Sequence, residues 1–158
     1  DDRKNQRGCF SKMSKSNTFE NELLLLIFNN TAIALIGDAS GLQPSATAGS
    51  LYVCLHTADP GEAGTAATSE CAYTSYARVA VARSGAGWTV TGNAVTNAAL
   101  IQFPQCTGGS ETATYFSITT SSSGTSKILY RGALSASLAI SSGIQPQFGA
   151  GELDGTED

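Results

Sequence analysis

The sequence predicts a mainly β domain, a sandwich or barrel, behind a short N-terminal helical segment. Three observations predict it. Roughly seven short apolar runs follow one another from about residue 50 onward, each ended by a turn cluster. Gly and Ser/Thr clusters such as "TGGSE" and "SSSGTS" supply those turns. A single run near the start, "NTFENELLLLIF", carries apolar residues at helical rather than strand spacing.

The chain has 158 residues, enough for one domain with a real core. Only 14% of residues are charged and 41% are hydrophobic. Disordered chains show the opposite balance, so this one should fold. Low charge also suits a subunit whose surface is partly covered by neighbours.

Residues 1–12, DDRKNQRGCFSK, differ from the rest: six of them are charged. They read as a leader extension ahead of Met13, the only methionine. They lack the apolar core of a secretion signal. From Met13 on, the chain holds 11 acidic and 5 basic residues, a balance that argues against a nucleic-acid partner. The longest apolar run, Leu23 to Phe28, is too short to span a bilayer, so no membrane role is expected. Synthesis in the cytoplasm follows. Cys54, Cys71 and Cys106 remain beyond the leader, an odd number without regular spacing, so a disulfide framework is not expected.

Residues 13–48 form the helix and a loop; residues 49–158 form the β domain. The helix begins with Asn17 as N-cap and Glu20 three residues on, a capping-box arrangement. Phe19, Leu23, Leu26 and Ile27 make one stripe, with Leu24 and Phe28 beside it. That is more apolar surface than one face needs. "TAIALIG" extends the helix or forms a second short one ending at Gly37, and "DASGLQPSATAGS" is a loop.

The strands follow in order. "SLYVCLHT" runs into the turn "ADPGEAGT". "YARVAVARS" alternates, with Tyr76, Arg78, Ala80 and Ala82 on one face and Ala77, Val79, Val81 and Arg83 on the other. "GAGWTVTGN", "AVTNAALIQFP", "TATYFSITT", "KILYRGALS" and "IQPQFGAGEL" complete the set, with Pro104 and Pro146 at strand ends or edges.

Candidate chemistry centres on His56, the only histidine. Cys54 and His56 share a strand face, as a nucleophile and base would. No motif supplies an orienting acid or oxyanion hole, and Asp59 before Pro60 reads as a turn residue. Cys54, His56, Cys71 and Cys106 could ligate zinc, but their spacing lacks the close pairs of a zinc site. Glu62 and Glu70 lie in a turn-rich loop without a glycosidase's aromatic cleft. Trp88, Tyr73 and Tyr76 could form a sugar platform, with core packing as the plainer role. The acidic tail "GELDGTED" could bind calcium, with a solvated terminus as the plainer role. No catalytic residue, metal or cofactor is therefore assigned.

Taken together, "LHTADPGEAGT", "YTSYARVAVARSGAGWTVTGN", "NAALIQFPQCTGG", "ILYRGALS" and "SSGIQPQFGAGEL" resemble a family of small virion proteins of tailed phages. Members are often labelled tail fibre proteins, and some resemble the cement proteins of short-tailed phage capsids. The resemblance runs from Met13 onward. It implies a β-sandwich of jelly-roll type with a short helical N-terminal region, and no catalysis. His56 and Asp59 become structural, His56 by bonding loop backbone.

The leading expectation is a capsid cement protein at the head surface. It would bind the major capsid protein and itself, as a dimer or trimer. The helix residues Phe19, Leu23, Leu24, Ile27 and Phe28 would form the oligomer or capsid interface. The alternative is a tail-fibre or receptor-binding protein that recognises host glycan. A third reading, from another class, is a small hydrolase or metal enzyme using His56.

Overall fold

A computed structural model describes residues 13–157. The expected 1–12 leader lies outside these residues. The order is helix α1 (Asn17–Asn29), then β1 (Ser50–His56), β2 (Val79–Ala82), β3 (Trp88–Thr91), β4 (Ala94–Asn97), β5 (Ile101–Gln102), β6 (Ser110–Thr119), β7 (Ile128–Ser141), β8 (Gln147–Phe148) and β9 (Asp154–Thr156). The protein is mainly β, as the strand-period runs predict, with one short N-terminal helix. Its ladders are antiparallel: a four-stranded sheet β2-β1-β6-β7, a three-stranded sheet β3-β4-β9 and a two-stranded ladder β5-β8.

One core joins the sheets and the helix. Leu51, Val53 and Leu55 alternate along β1 and meet Ile118, Trp88, Val95, Phe103 and Ile140 in a single buried cluster. The period of two places these β1 residues on one face, so the opposite face carries Cys54 and His56. Between β6 and β7, Gly132 lies opposite Phe116. A Cβ on Gly132 would come within 2.8 Å of the Phe116 ring, so only glycine leaves the ring its place.

Helix α1 belongs to the same core. Leu24 and Phe28 are fully buried, and Phe28 packs edge-on against Trp88 at 4.9 Å between centroids. The N-cap is Ser16, whose hydroxyl accepts from the Phe19 amide; Asn17 is the first helical residue. The expected capping box therefore does not form, because with Ser16 as cap the third helical position is Phe19 rather than Glu20. The helix ends where Asn30 adopts a left-handed conformation, with its N–H on the Leu25 carbonyl. Asparagine tolerates that conformation, so the helix stops before "TAIALIG". That stretch instead opens a hairpin, pinned by paired backbone bonds between Ile33 and Leu42.

Two further differences concern the strands. "AVTNAALIQFP" divides into β4 and β5, since Asn97 turns inward and bonds Ala99 and Gly149 carbonyls through Nδ2 and the Leu153 amide through Oδ1. The acidic tail is not simply solvated: Asp154–Thr156 adds β9 to β4.

Arg83 secures the helix end. Its guanidinium donates to the Leu26 and Ile27 carbonyls at 2.7 Å each and to Ala48 at 3.1 Å. These are last-turn carbonyls, where a cation opposes the helix dipole. Replacing Arg83 by Ala should lower stability by about 2 kcal/mol, the scale of losing charge-assisted bonds, measurable as a fall in urea midpoint.

Candidate functional site

On the β1 face that carries Cys54 and His56, His56 meets Ser117 and the Thr68 carbonyl, while Cys71, Tyr73 and Tyr76 of the 57–78 connection join the main core. Where β2 leaves β1, backbone groups of β1 need other partners. The Leu55 amide donates to the Tyr76 hydroxyl at 3.1 Å, the Leu55 carbonyl accepts from Cys71, and Thr57 donates to the Ser69 carbonyl. Beneath these bonds sits Arg78, whose side chain is 2% exposed. Its Nε and Nη2 hold both oxygens of Glu70 at 2.7 and 2.8 Å. Nη1 donates to the Ser121 carbonyl and Ser126 hydroxyl, and Nη2 also to the Gly124 carbonyl. All five guanidinium donors are thus used. Thr119 extends the layer through Ser126 and the Lys127 carbonyl.

His56 lies in this layer with no exposed surface. Nδ1 is 2.9 Å from the Thr68 carbonyl, which can only accept, so Nδ1 carries the proton. Nε2 then accepts from the Ser117 hydroxyl at 2.7 Å. Burial holds the imidazole pKa below its ordinary value, outweighing the Thr68 bond and the Glu70 charge that raise it. The pair has the spacing of a nucleophile and its base. Its third partner, however, is a backbone carbonyl, and Ser117 is fully buried, leaving no approach for a substrate carbonyl. The histidine closes the 57–68 loop onto the sheet, in keeping with the bond to loop backbone that the family resemblance implies. Ser117 carries no motif, and only the register of β6 against β1 brings it there.

The other candidates separate. Asp59 accepts from the Gly61 amide, a turn contact, and pairs with Arg131 at 2.6 Å. Glu62 also meets Arg131, while Glu70 belongs to Arg78. Burial pushes the Cys54 and Cys71 thiols up to about 12, which keeps them protonated. Among the described residues no three His, Cys, Asp or Glu side chains gather as a metal site, and no helix is long and apolar enough to cross a membrane. Trp88 is not part of a sugar platform: it is buried against Phe28, while Tyr73 and Tyr76 pack on each other at 5.3 Å beside Phe103.

The expected helical interface also changes. Leu24 and Phe28 have no exposed surface and serve the chain's own core. They sit on the inward stripe of α1, beside the stripe of Phe19, Leu23 and Ile27. Phe19, Leu23 and Ile27 are half-buried, and Ile27 packs against the core.

More apolar surface is offered by the hairpin after the helix. Leu35 is 80% exposed and Ile36 and Leu42 are partly so, whereas Ile33 at the base is buried. The helix expected over "TAIALIG" would have hidden this tip; the chain instead leaves α1 at Asn30 and pairs Ile33 with Leu42. The turn signal was present in Asp38 and Gly41: the Asp38 carboxylate accepts from the Ser40 and Gly41 amides. Elsewhere, a cavity of about 260 Å³ lies between α1 and the sheets, lined by Phe28, Trp88, Phe116, Tyr130 and Leu153.

A protein-family model described as "Podophage GP4 fiber I protein gp80" matches residues 14–156. No curated protein matches the chain.

Two outcomes test the polar layer. Glu70→Ala should destabilise the fold by about 3–5 kcal/mol, because it strands the buried Arg78 charge; chemical denaturation reads this directly. The lowered His56 pKa means the unfolded chain takes up a proton first as pH falls below about 6.5. Stability should therefore drop between pH 7.5 and 5.5, and His56→Gln should flatten part of that slope in paired urea titrations.

Proposed function

The chain belongs to the podophage GP4 fiber I protein gp80 family, and from that premise we propose that it is a structural component of a virion fibre. That family is one of phage virion proteins, so the structural virion role expected from the sequence stands. The match over residues 14–156 carries the fibre reading, since the family's description names a fibre. The family's description favours the fibre alternative over capsid cement.

The geometry supports a role through contact rather than turnover. The His56–Ser117 pair is spent inside the fold, where neither residue has exposed surface. Among the described residues the surface carries an apolar hairpin tip and a partly open cavity, and Leu100 and Ile144 are also exposed. A glycan-reading role finds little support, because the aromatic residues that would stack on a sugar are packed on one another. In this reading the partners are other fibre or tail proteins and further copies of the chain, and its place is the tail side of the particle.

The reading is tested on intact particles by immunogold labelling, with copy number from quantitative mass spectrometry. Label confined to the tail, at a small fraction of the shell protein's amount, is expected. Label spread evenly over the head at near-stoichiometric amount would overturn the fibre in favour of cement.

A further inference from the structure

We propose that strand β7 pairs edge to edge with β7 of a second copy, antiparallel about a two-fold axis at Ala136. Three observations lead there.

The edge is long and open. β7 spans 14 residues at the outside of the four-stranded sheet, with β6 on one side only. Among the described residues, no hydrogen bond from outside the β6–β7 ladder reaches the backbone of residues 128–140. The register shift between Ala113 and Tyr115 also leaves residues 134–137 without a partner on β6. Ser135, Ala136 and Ser137 are exposed. Backbone groups along such an edge are a template for another strand.

The sequence of the edge does little to repel one. Charges, proline and short length are the usual protection. β7 holds no proline, and Arg131 is its only charged residue. Arg131 is spent on Asp59 and Glu62 of its own chain. A bulge can blunt an edge by bending it, but here the bulged residues are the ones that β6 leaves unpaired.

The edge also matches itself. Residues 133–139 read ALSASLA, the same in both directions about Ala136. Antiparallel pairing about a two-fold axis there sets Leu134 against Leu138 of the second copy, Ser135 against Ser137, and Ala136 against Ala136. Residues directly opposite share one face of a sheet. Leu134 and Leu138 are half-buried and pack on the core, so inward leucines meet inward leucines and the core side continues across the axis. The exposed Ser135 and Ser137 can bond each other across the strands. A slip of one residue would set a leucine against an outward serine, and a slip of two would set one against Ala136. The two Arg131 residues fall at opposite ends of the ladder, each facing Ser141, so like charges do not meet. Self-matching of this kind selects a second copy over an unrelated strand. The contact is isologous and closes as a dimer. It does not depend on where the chain sits in the virion, which particle labelling reads separately.

Sedimentation equilibrium over a dilution series tests the pairing. The wild-type protein should rise from the monomer mass toward about twice that mass as concentration increases. Ala136→Asp and Ala136→Lys each place two like charges face to face at the axis, so each alone should weaken the dimer by about tenfold or more. Ala136 is exposed and has no partner on β6, so both variants should keep the wild-type melting temperature. Ala136→Glu and Ala136→Arg replace either one that misfolds. Mixing the acidic with the basic variant sets opposite charges face to face, and a one-to-one pair should form with affinity close to that of the wild-type dimer. A wild-type protein that stays monomeric, a charge variant that dimerises as tightly as wild type, or a mixture that pairs no better than its components would each overturn the proposal.

Discussion

The fold depends on one buried cation. Strand β1 lies inside its sheet, and both of its faces must be covered. One face meets aliphatic and aromatic side chains. The other meets a long connection whose backbone cannot be buried unless its polar groups are paired. Arg78 makes this cover possible. It ties the 70–78 segment to Glu70 and reaches the 121–126 loop through two carbonyls and a hydroxyl. The pair is not worth much as isolated charges, because desolvation opposes attraction. Its value is geometric: five fixed donors hold two loops on one sheet face, and an apolar substitute would leave those loop carbonyls unpaired.

That constraint explains why the most enzyme-like feature of the chain is part of its frame. His56, Ser117, Thr119 and Tyr76 share the layer with Arg78, and each spends its polar atoms on backbone or on another member. Buried networks of this sort specify one arrangement strongly when all members are satisfied. Such a layer makes the frame of the protein rigid. Its surfaces can then hold strained or exposed apolar groups, such as Leu35, because the scaffold behind them does not give way.

Much of this was legible in the sequence, and the omissions have physical causes. The strand-period runs located β1, β2, β3, β6 and the start of β7, since one apolar face imposes alternation. The turn role of Asp59 followed from its place before Pro60 and Gly61. The helix was visible, but its cap was misplaced by one residue because Ser16 and Asn17 are both competent caps. The stop at Asn30 was hidden because "TAIALIG" is as apolar as a helix extension. The partners of Arg78, Arg83 and Ser117 lie 8 to 61 residues away along the chain, and tertiary register alone brings them together. The tail's pairing with β4 had no local signal either, since Asp154–Thr156 has a turn's composition.

The Ser117 hydroxyl donates to His56 inside the polar layer and has no exposed surface. Exposing the folded protein to a fluorophosphonate, which captures activated serines, and reading its intact mass tests this most directly. A hydroxyl with no exposed surface predicts no adduct until the chain is unfolded. A stoichiometric adduct on Ser117 in the folded protein would contradict the account, and the polar layer would then have to be read as an active site.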